Sequence, residues 1–246
     1  MPADLLNGQL HDIPDILAAL GGLGTAAFGL VDASKAIGGG ISNAGFRSVR
    51  EAVQPLIADR ADHRRAHPPS PVFGAADIIR TLRANWINGV PKQDQKAIAK
   101  SLIRLNITPD NAPRLAARTG VDSGGLTEVA QCICSGKPLT AQQIGVLGRV
   151  DAIVSAVLDE GYERGDQQYR DASKLAAALV AIALSIVAGG LAHVASAHGT
   201  IATYLGSSDL WFAVLIGVIS TPLAPIAKDL SSSLTAAVRA IGATKR

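Results

Sequence analysis

Two apolar runs near the end of this 246-residue chain, Leu175–Ala195 and Leu210–Ala227, contain no Asp, Glu, Lys or Arg and are joined by a short connection. Each has roughly the length needed to cross a hydrocarbon core about 30 Å thick, at about 1.5 Å of rise per helical residue. A pair of this kind predicts a transmembrane hairpin and an integral membrane protein. Backbone polar groups cannot be left unpaired in lipid, so the spans must be helices.

The rest of the chain is too polar to lie wholly in a bilayer. Hydrophobic residues make up 48% and the mean hydropathy is +0.26, which suits spans joined to a water-exposed portion. Aromatics are scarce at 4%, whereas Ala and Gly are abundant; small side chains permit the close helix–helix approach that drives association in lipid. Residues 1–15 contain no Lys or Arg. The basic n-region of a secretory signal is therefore missing, and the first apolar stretch reads as part of the mature chain.

That stretch, Ile16–Val31, is short for a span, and three readings compete: a tilted or short span, a re-entrant segment and a buried core helix. Gly21, Thr25 and Gly29 recur every four residues, as do Gly22 and Ala26, a small-residue stripe suited to packing against another helix. Gly38, Gly39 and Gly40 end the element. Arg47–Arg65 reads as an amphipathic helix that Pro55 kinks or breaks, and His67-Pro68-Pro69-Ser70-Pro71 reads as a linker. Short helices follow from Ala75 to Trp86 and from Pro91 onward. Thr108-Pro109-Asp110 is a helix-start pattern, with Thr as N-cap and Pro at the first helical position. Gly120 ends that helix, and a further one runs from Gly125 to Ser135. Thr140 and Gln143 form a capping box that opens a proline-free stretch continuing to Ser196. Ile144, Leu147, Val150, Val154 and Val157 lie along it at three- and four-residue spacing, a seam suited to coiled-coil contact. An unbroken helix there would be about 85 Å long, a stalk running into the membrane.

Lys and Arg near span ends set orientation. Arg164, Arg170 and Lys174 precede the second run, and Lys228, Arg239, Lys245 and Arg246 follow the third, while 198–209 has none. With Lys35, Arg47 and Arg50 after the first run, every segment agrees with one N-out, C-in arrangement in a bacterial-type inner membrane. The expected fold class is all-α, multi-pass. Residues 1–32 hold the first span, 33–171 a helical cytoplasmic domain and stalk, 172–229 the hairpin, and 230–246 an amphipathic tail on the inner face built on Leu230, Leu234, Ala237, Val238 and Ile241.

Polar groups at membrane depth are functional candidates by default. His193 lies in the second run near its outer end, where a proton or ion role competes with simple reach to interfacial water. Asp32, followed by Lys35, reads as a boundary ion pair or as a pathway group. Ser185, Thr221 and Pro222 complete the candidate pathway; the proline frees a carbonyl one turn back and makes a kink that could serve as a gate. Cys132 and Cys134 lack the further ligands a zinc site needs and read as an inert buried pair; His63 and His67 read as part of a solvated basic loop. No metal or other cofactor is expected. Between Arg47 and Arg118 the chain carries 13 Lys and Arg against 6 Asp and Glu. That surface could hold anionic headgroups, or it could meet the acidic stretch Asp151–Asp166; nucleic acid is the weakest option because no recognised motif accompanies the charge. No Walker loop, dinucleotide fingerprint, nucleophile elbow or zincin motif is present, which points away from an enzyme. Two functions fit this reading. One is a homo-oligomeric, channel-like assembly; the other is a non-conducting scaffold or partner-binding subunit.

Overall fold

The structure, a computed structural model, describes residues 2–57, 74–197 and 200–225. Among them every regular element is helical, with no strand. In chain order these are α1 (Pro2–Ala33), α2 (Ser42–Val53), α3 (Ala75–Ile87), α4 (Lys92–Leu105), α5 (Ala112–Thr119), α6 (Ser123–Ser135), α7 (Ala141–Ala197), α8 (Ile201–Leu205) and α9 (Ser208–Pro225). The expected linker 67–71, His63 and the tail 230–246 lie outside the described residues. The chain divides into two compact units, with breaks after residues 41 and 170.

The first unit contains α1, the C-terminal part of α7, α8 and α9. Three helices are long and apolar enough to cross a membrane: Asp15–Ala36, the apolar part of α7, and Ser208–Pro225. Small residues set how closely they approach. A Cβ on Gly24 would collide with the Ser220 carbonyl and stand 2.7 Å from Ala224 Cβ, and one on Gly217 would stand 2.5 Å from Ile182 Cα. Ala27 and Val31 of α1 pack on Ala177 and Ala181 of α7. Large side chains point the other way. Leu191 is 69% and Trp211 73% exposed, and Leu175, Leu179, Val187 and Phe212 are similar. In lipid such a surface is solvated, which is why the hydrophobic residues lie outside and the small ones inside.

The small-residue stripe on α1 is present but faces away from this contact. Gly21, Gly24, Ala27 and Val31 are the buried positions, while Gly22, Thr25, Ala26 and Gly29 are exposed. A helix turns about 100° per residue, so a strict four-residue repeat drifts by about 40° at each step. The line from Gly21 through Thr25 to Gly29 therefore walks off the packed face. Because most of the Asp15–Ala36 surface is exposed, the buried-core-helix reading of this segment falls.

In the second unit α2 to α6 and the N-terminal part of α7 enclose one core. Val49, Val53, Ile78, Leu82, Ile103, Leu126, Val129, Val150, Val154 and Leu158 are all buried in it, each contributing about 1.5–3 kcal/mol by leaving water. The proposed seam residues fall here. Val150 and Val154 are core, Leu147 and Val157 pack against it, and Ile144 is exposed. The partner of this stripe is thus the chain's own helices. At Gly45 and Gly165 the backbones of α2 and α7 touch, leaving no room for a Cβ at Gly45, which would also meet Trp86 at 2.7 Å.

Local signals fix most helix ends. α2 stops at Val53, and Pro55 sits in a following 3-10 turn, Gln54–Leu56, so the amphipathic segment breaks where its proline predicts. Gly120 and Gly136 close α5 and α6 with φ of 62° and 69°, the left-handed region that favours glycine. Thr140 and Gln143 make the reciprocal capping box, at 3.0 and 3.3 Å. Thr108-Pro109-Asp110 is a correction. Asn111 accepts from Thr108 N at 2.9 Å and donates to Asn106 O, tying 108–111 into a turn. The helix begins only at Ala112, and Thr108 Oγ1 has no partner among the described residues. Asn111 spends its side chain on the Thr108 N–H and the Asn106 carbonyl, so residues 108–111 close a turn ahead of the helix.

Candidate functional site

The polar groups within the spans are mostly committed to helix packing. Ser185, at the α7–α9 contact, is 5% exposed, and its hydroxyl donates to the Ala213 carbonyl. Ser220 is fully buried and donates back to Gly217 O at 2.9 Å. Thr221 is buried with no partner for Oγ1 among the described residues, and Pro222 follows it inside α9. Asp32 pairs with Lys35 at the end of α1, with most of its carboxylate exposed, which is the boundary pair of the two readings above. His193 lies apart from Ser185, Ser220 and Thr221 in a small polar cluster. Its Nδ1 is 2.9 Å from Asp209 Oδ2, and its ring lies 5.6 Å from that of Tyr204. Tyr204 is buried and donates to Ile186 O. The five candidate pathway residues therefore form no common site. From the sequence Tyr204 reads as an interfacial aromatic at the outer boundary, and Asp209 is not among the candidates although it is the only acid in 198–209.

In the second unit the basic surplus separates into two sets. Lys92, Lys96, Lys100 and Arg104 recur every four residues along α4 and meet the acidic stretch of α7 in the same chain. Lys92 Nζ lies 3.0 Å from Glu163 and 3.3 Å from Asp166, and Lys96 lies 2.6 Å from Asp159. Lys100 reaches Ser155 Oγ at 3.1 Å and Asp151 at 3.9 Å, and Arg104 Nε donates to Asp151 at 2.7 Å. Hydrogen bonds to Glu163 raise the Lys92 ammonium above its ordinary range against the opposing effect of burial. Burial alone would raise the Asp166 carboxyl, but hydrogen bonds from Arg170 and Lys92 outweigh it and hold the group below the ordinary carboxylate range.

The second set lies elsewhere on the unit. Arg50, Arg80, Arg83, Arg114 and Arg118 line a recess of about 740 Å³ together with apolar groups that include Ile57 and Ile79. They come from α2, α3 and α5, elements far apart in sequence. Arg80 pairs with Asp77 at 3.1 Å, Arg83 donates to Asn43 Oδ1 at 2.9 Å, and Arg114 donates to Ile57 O. Arg50 and Arg118 make no ion pair among the described residues. Among the described residues no carboxylate lines the recess. The basic surplus is visible in the sequence, but its division into a paired row and a convergent cluster depends on tertiary contacts.

Among the described residues no cluster of His, Cys, Asp and Glu could hold a metal ion. Cys132 is half-buried and Cys134 exposed, which corrects the expectation of a buried pair. The two sulfurs start two residues apart on a helix and point to different sides. Comparison with protein-family models, curated proteins and solved structures finds no match for this chain.

Proposed function

We propose that this protein is a membrane-anchored, non-conducting subunit that assembles with copies of itself and binds partners through its polar helical unit. The reading rests on the direction of the polar side chains in the spans. A conducting pathway needs polar atoms facing a lumen, whereas Ser185 and Ser220 spend theirs inside the α7–α9 pair and on the local backbone. The exposed faces of the same helices are large and apolar. Self-assembly is supported by the outward small-residue face of α1, where nothing lies within 4 Å of a Cβ added at Gly22 or Gly29; such faces allow close helix contact in lipid. The charge pattern supports an N-out, C-in orientation in a bacterial-type inner membrane, with the polar unit cytoplasmic.

Reconstitution of the purified protein in a planar bilayer tests this reading. No current should appear under applied voltage in monovalent salts, with the embedded assembly shown to be intact by mass. A reproducible current would reject the non-conducting reading in favour of the channel, and a current altered by Pro222→Ala would assign the gate to that proline.

A further inference from the structure

We propose that His193, Asp209 and Tyr204 form a protonation-dependent clasp that holds the loop end of the α7–α9 pair closed. The three residues come from three successive elements, α7, α8 and α9, all within the first unit. His193 Nδ1 lies 2.9 Å from Asp209 Oδ2, and the imidazole and phenol rings stand 5.6 Å apart. Tyr204 is also anchored on α7 about one turn earlier. Its hydroxyl donates to Ile186 O at 3.1 Å, and its ring lies against the bare backbone at Gly189 and Gly190. A Cβ on Gly189 would stand 2.6 Å from the hydroxyl, and one on Gly190 would stand 3.3 Å from Cε1. The phenol thus occupies a notch left open by glycine, which pins α8 to α7 beside the histidine.

Both contacts of the imidazole are stronger when it is charged. A protonated ring gains an ion pair with Asp209, and a cation within about 6 Å of an aromatic centroid is attracted by the ring quadrupole. Asp209 lies in the first turn of α9, where the helix dipole favours a carboxylate. A neutral ring has one N–H. It keeps the bond to Asp209 only in the tautomer with that proton on Nδ1, and otherwise sets a lone pair against the carboxylate. Imidazole is also the side chain whose charge ordinarily changes between about pH 5 and 8. Desolvation opposes the charge, since the His193 side chain is 18% exposed, but Asp209 at 56% keeps the cluster at the edge of water. The elements in contact here, α7 from residue 186, α8 and α9, hold no other titratable side chain among the described residues. His198 lies outside those residues, and α1, the remaining helix of the unit, carries Asp4, His11, Asp12, Asp15 and Asp32. Acid therefore tightens the end of the hairpin, and alkali loosens it. With the loop outside, the clasp answers to the pH of the outer compartment; that side rests on the orientation proposed above, whereas the contact itself does not.

Hydrogen–deuterium exchange of the full chain in phosphatidylcholine nanodiscs tests the clasp, at about pH 5 and about pH 8 and corrected for the chemical exchange rate at each. Amides of residues 200–209 should be about threefold to tenfold better protected at the acid value, the scale of a partly exposed ion pair with a cation–π contact. His193→Gln should hold protection at the wild-type alkaline level at both values, and Asp209→Asn should flatten the dependence likewise. His11→Gln and His198→Gln should leave it intact. Helicity by circular dichroism confirms that each variant is folded. Equal protection of the wild-type chain at the two values would overturn the proposal. So would a dependence that survives either His193→Gln or Asp209→Asn, or one that is lost in His11→Gln or His198→Gln. Nanodiscs wet both faces of the bilayer, so the outcome does not depend on which side the loop occupies or on whether the spans conduct.

Discussion

Gly24 and Gly22 are two residues apart on one helix and differ completely in what they can tolerate. A side chain at Gly24 would run into the α9 backbone, whereas Gly22 faces open space. Gly24→Leu should therefore destabilise the packed spans by about 1–3 kcal/mol, seen as a lower midpoint in thermal unfolding in detergent. Gly22→Leu should leave that midpoint in place and weaken self-association, read as a shift toward the monomer mass in nanodiscs. A Gly22→Leu protein with an unchanged oligomer mass would remove the outward face of α1 from the assembly. The presence of a small-residue stripe is legible in the sequence. Which of two adjacent faces it serves is not, because both contain Gly and Ala and only the positions of α7 and α9 distinguish them.

At the scale of elements, the ion-pair row between α4 and α7 has a defined response to pH. The Asp166 carboxyl titrates lower in the folded chain than in the unfolded one, where its value is about 3.9. Its contribution is present above that value and is lost as pH falls through the folded one. The Lys92 ammonium is raised above its unfolded value of about 10.4; its contribution is complete below that value and is lost as pH rises through the folded one. Lys92→Met should lower stability near neutrality by about 1 kcal/mol, the scale of a partly exposed pair. It should also flatten the dependence of the unfolding midpoint on pH at both extremes. Equal slopes for mutant and wild type would show that this pair does not couple to folding. Helix positions and most ends in this unit follow from local chemistry: apolar spacing for the core, Gly120 for a stop, Thr140 and Gln143 for a start. Thr108 misleads because Asn111 ties 108–111 into a turn through Thr108 N and Asn106 O, which delays the helix to Ala112. The arginine recess is invisible for a related reason, since no local spacing announces that Arg50 and Arg118 face the same space.

For the whole molecule, orientation is the property most directly open to measurement. With Cys132 and Cys134 replaced, a single cysteine at Ser207 should react with an impermeant thiol reagent on intact cells, and one at Thr244 should not. Labelling at Thr244 alone would invert the arrangement and place the arginine recess outside. The charge pattern carries this expectation entirely.

The spacing of the ion-pair row has one more consequence, which concerns alignment. Four cations repeat every four residues, so a four-residue slide of about 6 Å could in principle re-form the row. Ser155 prevents this, because it places a hydroxyl where the repeat would put a carboxylate. Sliding α4 one way sets Lys96 against Ser155 and carries Arg104 to Leu147. Sliding it the other way sets Arg104 against Ser155, brings Lys92 toward Arg170 and strips every cation from Asp151, whose carboxylate is only 13% exposed. A perfectly periodic strip would leave the two helices free to choose among neighbouring phases. The single odd tooth at Ser155 makes each wrong phase forfeit pairs, so the row works as a vernier that selects one setting.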